Sequence, residues 1–195
     1  NNKVIKYGGQ NRGGGVHVGD YGGKKGTFNM SGGEISDNEA KDGGGVYVYD
    51  GTFTMSDGEI SGNNKASSGG GVSVDIGTFT MSGGSITGNT ATNYGGGVHM
   101  TRGTYGTLNV SGTAVIKDNQ KGTDANNVHL FKDKFITVNG ALADGASIGV
   151  TTENEPAADG SLIATGTSLT AGAAEKFISD KSGYAVSAKS DGTGL

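Results

Sequence analysis

The chain has 195 residues and a formal net charge of −4, with 40 glycines, one proline, no cysteine and no tryptophan. The absence of cysteine excludes disulfides, thiolate metal sites and cysteine nucleophiles. The sequence contains no long block of basic residues of the kind that binds nucleic acid or anionic lipid. No stretch approaches the roughly 18 apolar residues of a membrane-spanning helix. Only 32% of the residues are hydrophobic, yet their regular spacing argues against disorder.

The chain begins part-way through a repeat. Val4-Ile5 precedes a glycine triplet at the same distance at which Ile35 precedes the next triplet. We therefore expect Val4-Ile5 to be the last strand of a partial coil. The first residues, Asn1-Asn2-Lys3, include no initiator methionine, and we expect the chain to be a segment of a larger polypeptide.

A repeat of 26 to 30 residues follows, and each copy starts with the valine after the glycines. Three alternating apolar pieces recur in each copy, and alternation predicts short strands with one buried face. Because such strands cannot bury that face alone, successive copies must stack. The sequence thus predicts an all-β fold, a right-handed parallel β-helix with three short strands per coil. The expected inward ladders are Val16/Val46/Val72/Val98/Val128, Phe28/Phe53/Phe79/Leu108, Met30/Met55/Met81/Val110 and Ile35/Ile60/Ile86/Ile116.

A polar position recurs after each isoleucine. It holds Asn38, Asn63, Asn89 and Asn119. Stacked asparagines can bond their amides along the ladder and also satisfy backbone groups of the turn. The glycine triplets fit a corner with positive φ or close contact between coils.

The repeat weakens after Val128, but strand patterns continue. "KFITVNG" (134–140) and "ASIGVT" (146–151) predict two strands of a fifth coil, and "SLIAT" (161–165) predicts the start of a sixth. "AGAAEKFIS" (171–179) has helical character, and "GYAVSA" (183–188) predicts a last strand. We assign 1–152 to the β-helix repeats and 153–195 to a final coil and a C-terminal cap with a short helix, within one domain.

The glycine-valine step is paired with I-[ST]-[GD]-N, as in residues 60–63 and 86–89. This pairing resembles the GGA-[ILV] and FxxN pairs of polymorphic outer-membrane-protein repeats, with isoleucine in place of the phenylalanine. The chain is also similar to glycine-rich repeat regions of large secreted surface proteins of gut bacteria, through "NNVHLFKDKFITVNGALADGASIGVTT" (126–152). The resemblance covers roughly residues 3–152 and implies a β-helical adhesin region.

The outward positions of the first strand carry the predicted ligand-binding residues. Aromatic rings beside polar acceptors can stack on a sugar ring. His99 and His129 fall on adjacent rungs but have no evident third ligand, so we predict no metal site and no cofactor. The predicted ligand-binding residues are Tyr47, Tyr49, His17, Asp75 and His99.

Two other outward groups suggest alternative functions. Glu34 and Glu59 occupy equivalent positions on adjacent coils, about 5 Å apart, near the carboxyl separation of retaining glycosidases. They are the candidate catalytic residues of a carbohydrate-active enzyme, either a polysaccharide lyase or a glycosidase. The second strands present threonine, asparagine and serine outward, a face that keeps a sheet soluble or that resembles ice-binding β-solenoids.

The leading hypothesis is a non-catalytic segment of a bacterial cell-surface or secreted, extracellular protein. It would serve as an adhesin shaft or as a ligand-presenting module, such as one that binds carbohydrate. The expected partner is a host or environmental glycan or a surface protein, with no nucleic acid and no membrane insertion by this segment.

Overall fold

The computed structural model describes residues 11–102, 105–154, 160–167, 169, 171–189 and 193–195. It is a nearly all-β parallel solenoid of about six turns, here called coils, which confirms the predicted fold class. The strands of each coil pair in parallel with the equivalent strands of the next coil. The expected strand at Val4-Ile5 lies outside the described residues.

The first sheet stacks the strands that follow the glycine corners. Its register pairs Val16 with Val46, Val46 with Val72, and then continues through Val98 and Val128. Lys24–Lys25 folds back antiparallel on the first of these strands. The strands are Val16–Tyr21, Val46–Tyr49, Val72–Val74, Val98–Met100, Val128–Leu130 and the end of Ser147–Thr152.

The second and third sheets complete each coil. In the first two coils one continuous strand serves both sheets, Thr27–Ser36 and then Thr52–Ser61. The helix, Ala171–Ala174, lies between the last strands of the two sheets. The later second-sheet strands are Thr78–Met81, Thr107–Gly112, Ile136–Leu142 and Ala164–Gly166, and the later third-sheet strands are Ser85–Thr87, Val115–Ile116, Ser147–Thr152 and Phe177–Ser179.

A small fourth sheet lies in the segment between each ladder asparagine and the following glycines. The sequence pattern did not predict it. Isolated bridges extend it toward the N-terminus by pairing Arg12 with Asp42 and Asp42 with Ser68. Its strands are Ala66–Ser68, Thr90–Tyr94, Gln120–Lys121 and the antiparallel Asp124–Ala125.

The predicted apolar ladders form the core. Val46, Phe53 and Ile60 are completely buried, as are their equivalents in the next two coils. The rings of Phe53 and Phe79 stack with centroids 4.6 Å apart and an angle of 5° between their planes. In the first coil Val16, Phe28 and Ile35 are only partly buried and pack against this core, whereas Met30 is buried in it. Burial of these side chains is the main favourable term in folding.

The asparagine ladder runs along the solenoid beside this core. In each step the backbone N–H and the side-chain amide of one asparagine donate to Oδ1 of the next, as from Asn63 to Asn89 at 3.1 and 2.9 Å. The side-chain amide of Asn89 also donates to the carbonyls of Ile60 and Thr87, which gives these backbone acceptors a hydrogen-bond partner at the turn. The ladder begins at Asn38 and proceeds through Asn119.

The C-terminal part follows the predicted coils with two exceptions, one of which is that the predicted helical passage 171–179 is helical only at Ala171–Ala174 and ends in the strand Phe177–Ser179. Strands form at Ile136–Leu142 and Ser147–Thr152, which confirms both predicted strands, and the second runs from the third sheet directly into the first. The predicted strand at 183–188 is wrong. The third sheet already ends with Phe177–Ser179, and the following segment borders a cavity instead of pairing. Within the described residues, no helix is long and apolar enough to span a membrane.

Candidate functional site

The outward row of the first sheet holds three of the predicted ligand-binding residues and a serine in register with them. His17 pairs with Tyr47, Tyr47 with Ser73, and Ser73 with His99. These side chains point away from the apolar core, yet Tyr47 is only 2% exposed and His99 only 7%. The expected exposure is therefore wrong for Tyr47 and His99, whereas His17 is exposed. Their ligand-binding role stays a prediction.

The fourth sheet explains this burial, because its residues cover the outward row. At each glycine triplet the chain turns so that the preceding segment lies over the first sheet. This turn requires glycine: Gly43 has φ 64°, and an added Cβ would lie 2.3 Å from the carbonyl oxygen of Val46. The Arg12 guanidinium lies 4.9 Å above the Tyr47 ring. The sequence signal is the residue immediately before each triplet, which is Arg12, Asp42, Ser68 or Tyr94.

The ring of Tyr47 lies beside that of Tyr49 on the same strand. The Tyr47 hydroxyl donates to Oδ2 of Asp75 at 2.8 Å, and burial, followed by this hydrogen bond, raises the Tyr47 pKa. The rings of Tyr47 and Tyr49 are nearly parallel, with centroids 6.4 Å apart. Tyr49 is 39% exposed. Of the two predicted tyrosines, Tyr49 is thus the one that presents its ring to solvent from a fixed position.

His99 and His129 lie side by side beneath an aromatic cover. They pair in register, and the rings of Tyr94 and Phe131 both pack against His129 at 4.8 and 4.9 Å between centroids. Burial lowers the pKa of each histidine to about 4, and the neighbouring His129 further lowers that of His99. Ser73 Oγ lies 3.3 Å from His99 Nδ1. The pair is therefore neutral near pH 7, and the described residues include no group of three potential ligands around it.

Glu34 and Glu59 come together in register, as the sequence predicts. They pair directly on adjacent coils, and the next position is Ser85. Both side chains are exposed, and Glu59 accepts a hydrogen bond from Thr87 at 3.4 Å. The exposure of both side chains places the pair on an open face, and neither glutamate borders the C-terminal cavity described below. A catalytic role for the pair stays a prediction.

The outward face of the second sheet is a regular array of hydroxyl and amide groups. The rows are uncharged and lie partly or fully exposed. Asn109 Nδ2 donates to Thr80 Oγ1 at 3.2 Å, so neighbouring rungs also bond through side chains. The two rows in register are Thr27/Thr52/Thr78/Thr107 and Asn29/Thr54/Thr80/Asn109/Thr137/Thr165.

A row of exposed apolar side chains follows the corner between the first and second sheets. Each of the first five coils exposes one such residue there, and we call this set the corner row. In the described part of the chain seven large apolar side chains are exposed, so five of the seven lie at this corner. The corner row consists of Tyr21, Tyr49, Ile76, Tyr105 and Phe135, which are 91%, 39%, 39%, 68% and 37% exposed.

Side chains bond adjacent coils to each other along this corner. Lys25 Nζ lies 2.6 Å from Asp50 Oδ1, which joins the first coil to the second. Thr101 Oγ1 donates to Oδ1 of Asp75 at 3.0 Å, which joins the fourth coil to the third. Lys134, buried and with its pKa lowered by that burial, donates from Nζ to the Gly106 carbonyl at 2.9 Å. The corner that carries the exposed rings is therefore fixed at successive rungs.

The largest cavity described lies at the C-terminal end. It measures about 1390 Å³ and is bordered by Lys121, Asp124, Leu162, Lys181 and Tyr184, among others. None of the residues predicted from the sequence as catalytic or ligand-binding borders it.

Comparison with known proteins does not assign the chain to a family. It matches no family model, no curated protein and no solved structure. A role for the chain therefore has to be argued from its own geometry and chemistry.

Proposed function

We propose that the chain is a non-catalytic segment of a bacterial cell-surface or secreted protein, which acts as an adhesin shaft or a ligand-presenting module. The observation that carries this proposal is the continuity of the ladders from coil to coil. The asparagine ladder and the Val and Phe ladders keep one register over successive coils. Since each coil adds about 4.8 Å, six coils make a rod of roughly 30 Å.

Rigidity follows from the way neighbouring coils are joined. Parallel backbone bonds link them in the three main sheets, and the buried asparagine amides add a fourth line of bonds. Bending the rod would break bonds in the asparagine ladder, whose donors have no access to water. Such a rod suits a segment that holds other parts of a surface protein at a distance. The resemblance of the repeat to polymorphic outer-membrane-protein repeats supports the surface location.

A carbohydrate-active enzyme is the second candidate, and the register of Glu34 with Glu59 favours it. Stacking alone brings any equivalent pair about 4.8 Å apart, so this separation is also the outcome of the repeat itself. Both side chains lie on an open face, whereas catalytic carboxyl groups act in sites that hold the sugar between them.

An ice-binding solenoid is a third candidate, favoured by the threonine rows of the second sheet.

The proposal is tested by incubating the purified chain with cellulose, xylan, glucomannan, pectin and alginate. New reducing ends and unsaturated uronate products are then measured. We expect no product above that of a Glu34→Gln/Glu59→Gln variant. Product that the wild type forms and the double variant does not form would establish the enzyme instead. Thermal hysteresis that is lost in a Thr54→Lys/Thr80→Lys variant would establish ice binding instead.

A further inference from the structure

We infer that the corner row is a binding site for an uncharged linear polysaccharide whose chain lies along the axis of the solenoid. This inference rests on the proposed non-catalytic, ligand-presenting function and names its ligand class and its site. The first observation is distribution. Single exposed apolar side chains are ordinary on protein surfaces, but five of the seven in the described chain occupy one corner of successive coils.

The arrangement of the row matches an extended polymer. Successive rungs are about 4.8 Å apart, so Tyr49, Ile76, Tyr105 and Phe135 extend over roughly 15 Å along the axis. Tyr21, the last residue of the first strand of the first coil, lengthens the row by one rung. A compact ligand would contact one or two of these side chains. A linear chain parallel to the axis can contact all of them.

The ring of Tyr49 and the backbone beside Tyr105 are held in place before a ligand arrives. Tyr49 is backed by the parallel ring of Tyr47, which is buried and bonded to Asp75. The bond from Lys134 to the Gly106 carbonyl fixes the backbone beside Tyr105. Because the corner is already ordered, binding loses less conformational freedom than it would on a mobile loop.

The chemistry of the corner favours sugar over a protein partner. A protein interface has a continuous apolar centre, whereas here polar groups such as Asp50 and Asp75 stand between the apolar side chains. A sugar ring has an apolar face and a hydroxyl edge, which suits an aromatic ring flanked by hydrogen-bonding groups. Charges of both signs lie at the corner, and two pairs of them are engaged with each other, Lys25 with Asp50 and Arg102 with Glu153. The site therefore matches an uncharged chain rather than an acidic one.

Affinity gel electrophoresis of the purified chain tests the inference. The gels contain glucomannan, galactomannan or hydroxyethyl cellulose as uncharged polymers, and alginate or polygalacturonate as acidic ones. We expect retardation by at least one uncharged polymer. Tyr49→Ala/Tyr105→Ala should weaken that binding by at least about tenfold, by analogy with stacking of nucleic-acid bases on aromatic side chains. Tyr105→Ala alone, at a position 68% exposed, should weaken it without affecting folding.

The matched control is Tyr184→Ala, which removes a tyrosine that is as exposed as Tyr49 but lies at the C-terminal cavity, away from the corner row. It should leave binding within about twofold of the wild type. The inference is overturned by a wild type that binds none of the uncharged polymers, by binding to acidic polymers alone, or by equal binding in the wild type and the folded Tyr49/Tyr105 variants. The inference is also overturned if Tyr184→Ala loses binding while the corner variants bind as well as the wild type. Cleavage of a polymer would refute the proposed non-catalytic function, whereas absence of both binding and cleavage would refute only the corner site.

Discussion

The backbone N–H of Asn127 donates to Oδ2 of Asp180 at 2.7 Å, across 53 residues of sequence, and its side-chain amide donates to Oδ1 of the same carboxylate. Asn127 itself accepts from Asn119, so Asp180 ends the asparagine ladder. Every hydrogen bond from one ladder asparagine to the next is donated toward the C-terminus, and a carboxylate is the acceptor that ends the series there. Gly149 permits this approach, because a Cβ on it would lie 2.3 Å from Asn127 Nδ2.

Replacing the terminal acceptor should destabilise the C-terminal coils. Asp180→Ala leaves the two Asn127 donors and the Thr151 hydroxyl without their acceptor, and we expect a loss of about 3 kcal/mol in the free energy of unfolding. Asp180→Asn keeps one acceptor oxygen and should lose about 1 kcal/mol. Urea unfolding monitored by circular dichroism measures both. Equal stability of Asp180→Ala and the wild type would show that the ladder does not need this end.

Removing an interior member of the ladder should cost more. Asn89 is fully buried, accepts from Asn63 and donates to Asn119, Ile60 and Thr87. We expect Asn89→Ala to lower the free energy of unfolding by at least about 3 kcal/mol, since several buried groups lose their partners together. The control is Asn64→Ala at a nearby exposed position, which should change stability by less than about 0.5 kcal/mol. Similar losses in the two variants would contradict the role given to the ladder.

The buried histidine pair should make the fold sensitive to acid. The pKa of both His99 and His129 is about 4 in the folded chain, against 6.5 for an unperturbed histidine. Between these values the unfolded chain binds protons that the folded chain does not bind, so the free energy of unfolding falls as the pH decreases from about 6.5 to about 4. We expect a loss of a few kcal/mol over this range.

A His99→Phe/His129→Phe variant isolates this effect. Carboxylates elsewhere titrate in both proteins, so the difference between the two stability curves belongs to the histidines. The variant should lose less stability than the wild type between pH 7 and pH 4.5 in urea unfolding. Parallel curves would show that the pair does not remain neutral in the fold.

The sequence predicted the coils because the inward side chains alternate with the period of a strand. The ladders through Val46, Phe53 and Ile60 could be read from that alternation, and the recurring asparagine indicated the polar ladder beside them. The end of the ladder could not be predicted in this way. Asp180 follows Phe177 by three residues, as each ladder asparagine follows its isoleucine, but the repeat has faded there and the coil between carries Thr151 at this position.

The candidate site was harder to predict than the fold. Alternation identified the side chains of the first strand that point away from the core, but it could not show that Tyr47 and His99 are covered. The covering residues, such as Arg12 and Tyr94, share no chemical type and so form no pattern. The corner row was hidden for a related reason: its members stand at different offsets from the strands, since Tyr49 ends a first-sheet strand whereas Tyr105 lies two residues before a second-sheet strand.

Duplication of one coil tests the central claim, a rigid rod of interchangeable coils, most directly. Residues 72–97 form one complete repeat, and a second copy inserted after Gly97 places every ladder position in register again. In small-angle X-ray scattering we expect each added copy to lengthen the particle by about 4.8 Å with an unchanged cross-section. The β-sheet circular dichroism should rise in proportion and cooperative unfolding should be retained. A duplicated chain that widens in cross-section, or that carries the added residues unfolded, would contradict the account.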